Sequence, residues 1–360
     1  MHLAISVVEI WRLVISRFRS IVYFLVLICF FLFLILLFIA KDHNANGKII
    51  ISKLNIELSA LLSLENGTLF AGAKGSPVLC KSTDFGMTWS TLFNFSALYN
   101  TIRLGKEINS LFVSKSGTIL VNPGYSGIWT SFDGGQTFLH TLRRVAGCRA
   151  QSFTETRNGT IFFGTYGEAA LIYRSTDFGR TWNLLINVSG ARHVHFIQAD
   201  PNSENVYVSL GDNLPGYTVF GLFRLSTDGL QRIGFLQQPV AIDFCKDGSI
   251  ILGSDAYPQG VLCLYPNQHI EYLLNLSQKG KKYDTPVWTI KCLSDGHIFA
   301  GSGDIRLNIT GYLWESTDAG LTWNLAASFP TDVRRLQSTE TGILYVLTVD
   351  GELYVIKIEK

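Results

Sequence analysis

One short phrase recurs along the chain at nearly even intervals, and it limits the fold more than anything else in the sequence. It stands first as Lys81-Ser82-Thr83-Asp84-Phe85-Gly86-Met87-Thr88-Trp89. It returns as Ser131-Phe132-Asp133-Gly134-Gly135-Gln136-Thr137-Phe138, as Ser175-Thr176-Asp177-Phe178-Gly179-Arg180-Thr181-Trp182, and as Ser316-Thr317-Asp318-Ala319-Gly320-Leu321-Thr322-Trp323. A worn copy, Ser226-Thr227-Asp228-Gly229, lies between, so that the first serines are 49, 44, 51 and 90 residues apart. The last gap holds two units, and a decayed copy is expected near Tyr265-Pro266-Asn267. A period of about 45 residues built from short strands describes units that bury their apolar faces only by stacking on one another. The chain is therefore expected to be all-β, a β-propeller.

Each unit reads as four strands, with a Gly-containing turn between the first two and the repeated phrase between the last two. The units cover about 58–95, 107–142, 148–188, 192–236, 238–276 and 286–329, followed by a short last unit at 332–358. That last unit holds three strands, Val333–Ser338, Ile343–Thr348 and Glu352–Ile358, while Lys48–Ser52 reads as a lone strand ahead of the first unit. Closure of the ring by this N-terminal strand removes the open sheet edges and gives seven blades, with six as the alternative.

The phrase Ser-x-Asp-x-Gly-x-Thr-Trp resembles the Asp-box of sialidase-like propellers, also called the bacterial neuraminidase repeat. The box is a turn device: Ser and Asp bond nearby backbone amides, Gly takes the strained backbone position and Trp plugs the sheet. In that family a Tyr nucleophile works with an activating Glu, an Asp acid/base and three Arg that hold the sugar carboxylate. The resemblance offers Tyr166, Glu168, Asp212 or Asp255, and Arg149 with Arg192 and Arg335 for those roles. The Arg-Ile-Pro motif that precedes the first box in sialidases is absent, and no Arg lies in the first unit.

Residues 20–40 carry no charge and are long enough to cross about 30 Å of hydrocarbon. Arg12, Arg17 and Arg19 precede this stretch, which puts residues 1–19 in the cytoplasm and the ring outside. The expected organisation is a cytoplasmic segment 1–19, a transmembrane signal-anchor helix 20–40, a linker 41–47 and a propeller 48–360. The formal charge of the whole chain is +2, which the first 19 residues already account for. A nearly neutral ring argues against a nucleic-acid partner. Beyond Cys29 in the apolar stretch, Cys80, Cys148, Cys245, Cys263 and Cys292 form an odd set without paired or metal-ligand spacing, expected to be small buried hydrophobes.

Strand directions alternate within a blade, so a ligand funnel is expected on the face away from the boxes, built from the starts of first strands and the ends of second strands. The first set supplies Glu107, Arg149, Arg192, His193, His195, Trp288, Arg334 and Arg335. The second supplies Lys74, Tyr125, Tyr166, Glu168, Asp212, Asp255 and Asp304. His193 and His195 lie on one side of their strand and read as a general acid/base, a two-point metal ligand or a buried hydrogen-bonded pair. The expected catalytic set is His193, His195, Asp212, Asp255, Tyr166 and Glu168; the expected ligand-binding set is Arg149, Arg192, Arg335, Asp304 and Trp288. Neither a metal nor a cofactor is expected. The expected partner is a glycan, a cell-surface polymer or a protein at the cell surface, bound by a membrane-tethered ring without proven catalysis. The alternative is a hydrolase or lyase acting on an anionic glycan.

Overall fold

The structure, a computed structural model, describes residues 48–98, 106–124, 126–143, 151–167, 169–212, 214–233, 238–277, 285–304 and 309–359. The expected segments 1–19, 20–40 and 41–47 lie outside the described residues. Among the described residues no helix is long and apolar enough to cross a membrane. Two compact units divide the chain, and Ile50–Lys357 is the one described below; of the other, Met1–Ile49 with Ile358–Lys360, the described residues continue the ends of two strands.

The described residues are all-β, with one short 3-10 turn at Phe95–Leu98. The strands run β1 (Lys48–Ser63), β2 (Leu69–Ala73), β3 (Val78–Ser82), β4 (Ser90–Asn94), β5 (Ile108–Val113), β6 (Ile119–Pro123), β7 (Gly127–Ser131) and β8 (Leu139–Arg143). They continue as β9 (Phe153–Glu155), β10 (Ile161–Gly164), β11 (Leu171–Ser175), β12 (Asn183–Asn187), β13 (His193–Ala199), β14 (Val206–Gly211), β15 (Gly221–Ser226) and β16 (Gly229–Arg232). The rest are β17 (Pro239–Phe244), β18 (Ile250–Ser254), β19 (Gly260–Leu264), β20 (Ile270–Asn275), β21 (Val287–Cys292), β22 (Ile298–Asp304), β23 (Ile309–Ser316), β24 (Asn324–Phe329), β25 (Val333–Ser338), β26 (Leu344–Thr348) and β27 (Glu352–Glu359). From β5 to β24 each successive four form one sheet, and a seven-stranded sheet has the order β25-β26-β27-β1-β2-β3-β4.

Burial is greatest in the second strand of a sheet and lowest in its outer strand. The second strands β6, β10, β14, β18 and β22 are buried at every position and read as apolar runs, whereas β4 and β12 are largely exposed. Neighbouring sheets meet where the second strand carries glycine. A Cβ on Gly164 would lie 2.7 Å from Val194 Cγ1, and one on Gly301 would lie 2.4 Å from Val333 Cγ1. Any side chain there would push the sheets apart.

The repeated phrase builds the same turn four times. Ser82 Oγ donates to Asp84 Oδ1 at 2.8 Å and accepts from the Gly86 amide at 2.9 Å. Asp84 accepts from the Thr88 amide at 2.9 Å and from its hydroxyl at 2.6 Å. The sets at Ser131, Ser175 and Ser316 repeat these bonds. Two successive residues adopt positive φ rather than glycine alone: Phe85 at 60° with Gly86 at 88°, and Ala319 at 57° with Gly320 at 92°. Trp89, Trp182 and Trp323 are only half-buried, so they lean on the sheet more than they plug it. The worn copy is a tight hairpin pairing Ser226 with Gly229, and the expected decayed copy is the turn between β19 and β20.

One boundary differs from the sequence reading. The lone strand Lys48–Ser52 and the first strand of the first unit are one continuous strand, β1, which lies between β27 and β2. Leu54 and Ile56 carry the apolar pattern through the join and pack with Tyr345 and Val355.

Candidate functional site

The first strands of six repeats carry a bulge at the same place, whereas β9 pairs with β10 in unbroken register. Against the neighbouring strand the register slips between Leu58 and Ala60, Ile108 and Ser110, Val194 and Phe196, Pro239 and Ala241, Val287 and Thr289, and Val333 and Arg335. The extra residues are Ser59, Asn109, His195, Val240, Trp288 and Arg334. A bulge turns its extra side chain out of the ladder. All six line one cavity of about 390 Å³, together with Gln151 from the segment entering β9. The repeat thus delivers one chosen side chain per unit to a common space.

The wall of this cavity is rich in cations. Lys74, Lys291, Arg334 and Arg335 line it, with Asp243 as the carboxylate among the lining residues. The Arg334 guanidinium lies 3.8 Å from the centroid of the Trp288 ring, a cation–π stack, and donates to Asp332 Oδ2 at 2.8 Å. Trp288 is fixed by donating its Nε1–H to the Gly303 carbonyl at 2.7 Å. Arg335 donates to the Leu61 carbonyl at 2.9 Å, and Lys74 to the Val349 carbonyl at 3.2 Å. Lys291 lies 3.0 Å from Asp243 Oδ2, whose charge outweighs burial and raises the lysine pKa. Gln151 spans to β17, donating to the Ile242 carbonyl at 2.9 Å and accepting from its amide at 3.3 Å.

His195 links the cavity to a second cluster. Its Nε2 lies 3.3 Å from Asp212 Oδ1, and His193 Nε2 lies 3.7 Å from the same oxygen. Arg192 pairs with the other carboxylate oxygen, Oδ2. The hydrogen bond from His195 leads in holding the Asp212 carboxyl well below the usual range, against burial, and His193 and Arg192 add to it. The Tyr166 ring stacks on His193 with centroids 4.0 Å apart. Gly211 is required here, because a Cβ on it would lie 2.1 Å from His195 Nε2. This arrangement can orient an imidazole by a carboxylate for proton transfer. It also suits three-point metal binding, since ligand atoms of His193, His195 and Asp212 all lie within 4.8 Å of one another. Arg192 would then orient the ligating carboxylate from behind.

The expected site residues therefore divide. The structure brings His193, His195, Asp212, Arg192 and Tyr166 together, and puts His195, Trp288, Arg334, Arg335 and Lys74 around the cavity. Asp255 and Asp304 do not line the cavity; Asp304 is buried at the end of β22. Arg149, Glu168 and Tyr125 lie outside the described residues. Glu107 accepts from the Gly75 amide at 2.7 Å. The sequence reading missed Ser59, Asn109, Gln151, Asp243 and Lys291. Counting one repeat back from His195 would have found Gln151, and continuing back repeat by repeat would have found Asn109 and Ser59.

No protein family matches the chain by sequence, and no curated protein does. Solved structures of similar shape are β-propellers. A streptogramin B lyase superposes over 86% of this chain and 98% of its own, with 14% identity and a TM-score of 0.66. YCF48 bound to D1 peptide covers 88% of this chain and 96% of its own, with 15% identity and a TM-score of 0.61. The extracellular domain of a putative one-component system from B. thetaiotaomicron matches 86% of this chain over 40% of its own, with 11% identity and a TM-score of 0.62. At these identities the likeness shows the propeller fold alone.

Proposed function

We propose that this chain is a membrane-tethered, extracytoplasmic propeller whose axial cavity binds the acidic end of a glycan or cell-surface polymer. The observation that carries this reading is the cavity wall: four cationic side chains and the Trp288 ring beside a single lining carboxylate, Asp243. Arg presents a planar fork suited to a carboxylate, and an aromatic ring offers an apolar platform to a sugar face. Gln151, Asn109 and Gln337 add hydrogen-bonding groups for hydroxyls. We read the seven-stranded sheet as two blades sharing β1, for a total of seven blades. The six bulged residues and Gln151, one from each unit, support that count. The four box turns keep the resemblance to sialidase-like propellers in force, and residues 20–40 supply the tether. The solved neighbours include a lyase, a peptide complex and an extracellular domain, so the fold leaves the ligand to the cavity's own chemistry. Full-length protein in detergent, offered oligosaccharides ending in a uronic or sialic acid and their neutral counterparts, should retain the acidic ones and lose them on Arg335→Ala. Equal retention of the neutral sugars would refute this reading.

A second reading, a hydrolase or lyase acting on an anionic glycan, draws on the His195–Asp212 pair at 3.3 Å with Tyr166 near by. Here His195 would exchange a proton with substrate held in the cavity, Asp212 keeping the ring in place. Turnover of an acidic oligosaccharide that vanishes in His195→Ala, with binding retained, would establish it over pure binding.

A further inference from the structure

Two thiols that the sequence leaves unrelated meet between neighbouring sheets. Cys245 directly follows β17, Cys292 ends β21, and their sulfurs lie 2.7 Å apart. That is closer than unbonded sulfur atoms rest, and a small side-chain adjustment from the about 2.05 Å of a disulfide. The two strands are held together at this point. Asp243 Oδ2 accepts from the Cys292 amide at 2.8 Å and also lies 3.0 Å from Lys291 Nζ. Both cysteines are half-buried, within reach of a small reagent, whereas Cys263 beside them is buried.

We propose that Cys245 and Cys292 are a disulfide-forming pair that staples these two neighbouring sheets beside the cavity wall. The oxidant is an external disulfide, such as oxidised glutathione or that of an exchange protein. One thiol of the pair, as its thiolate, attacks one sulfur of the external disulfide, expelling one thiolate and leaving a mixed disulfide. The other cysteine sulfur then gives up its proton and displaces the second thiolate. Two thiols are oxidised, one disulfide is reduced, and the two protons pass to the departing thiolates.

The staple joins the cavity-lining residues Asp243 and Lys291 to an outside redox poise, since each is within two residues of a bonded cysteine. An oxidising compartment, where the N-terminal segment would put the ring, is where such a bond persists.

The test is peptide mapping of purified full-length protein. One sample is equilibrated with oxidised glutathione and one with dithiothreitol, and both are alkylated under denaturing conditions before digestion. The expected result is a peptide linking Cys245 to Cys292 in the oxidised sample and two alkylated thiols in the reduced one. The oxidised form should also melt at a higher temperature than the reduced form, a difference that vanishes in Cys245→Ser. Complete alkylation of both thiols after oxidation, or a bond from Cys245 to Cys263, would overturn the proposal. Because the mapping uses the wild-type chain, it stands even if Cys245→Ser folds poorly.

Discussion

His195 shows how a single residue acquires a role that its neighbours in sequence do not share. It stands in the bulge of β13, faces the cavity and touches Asp212 across the start of the next loop. Its ring occupies the space that any side chain at position 211 would need. Gly211→Ala is therefore expected to displace the imidazole and to cost about 1–3 kcal/mol, the usual penalty for overpacking. Thermal melting would register the loss, and weaker retention of acidic oligosaccharide would register the moved ring. The candidate site was partly legible from residues. His193, His195 and Asp212 stood out as a polar set at strand ends, and Trp288, Arg334 and Arg335 were found at strand starts. The bulge was not legible, because a one-residue slip in a ladder leaves the apolar pattern of the strand intact and is fixed by the pairing partner. Asp255 and Asp304 resembled Asp212 in sequence, each ending a second strand after glycine, yet without a bulged histidine beside them they do not join the cluster.

At the scale of elements, the box turn is the unit the sequence encoded best, because its bonds run between residues at most four apart. Its carboxylates have a predictable response to acid. The hydroxyl of Thr88, then its amide and Ser82, hold Asp84 down to about 2 from an ordinary 3.8. Asp133 is lowered likewise by Thr137; in Asp177 and Asp318 burial pushes upward, and the hydrogen bonds from Thr181 and Ser175, and from Thr322 and Ser316, together outweigh it. A folded pKa below the unfolded one stabilises fully above the unfolded value and is lost as pH falls through the folded one. The contribution of these turns should thus be complete above about pH 5 and be lost from about pH 4 towards pH 2, a decline that denaturant titrations at fixed pH would report. A midpoint that stayed constant down to pH 2 would contradict this account of the turns. Trp89 is half-buried and donates to the Gly86 carbonyl at 2.9 Å. Trp89→Ala should cost about 1.5–3 kcal/mol in the same titration, short of the penalty for a fully buried aromatic, with ligand retention unchanged. The continuity of β1 escaped the sequence reading because Lys53, Asn55 and Glu57 interrupt the apolar run, although alternation persists through Leu54 and Ile56. The cysteine pair escaped it as well: 47 residues separate Cys245 from Cys292, a distance that means proximity only once the repeats are stacked.

For the whole molecule, the repeat period carried the architecture, and one strand completes it. β1 lies between β27 and β2, so the two ends of the ring are fastened through a single element. Deleting residues 48–55 should leave β27 with an unpaired edge and turn a monodisperse protein into one that associates, as light scattering would detect. Unchanged mass and melting temperature in that deletion would show that the ring closes otherwise. The central proposal is that the cavity, to which the bulges bring Trp288 and Arg334 beside Lys74, Lys291 and Arg335, takes the acidic end of a glycan. Its most direct test is calorimetric titration of the detergent-solubilised full chain with one oligosaccharide in two forms, the free acid and its neutral amide. The account predicts that only the acid binds measurably, that Arg335→Ala weakens it by about tenfold or more, the scale of a hydrogen bond to a charged group, and that Trp288→Ala weakens it as well by removing the apolar platform. Equal affinity for the two forms, or acid binding untouched by both substitutions, would contradict it.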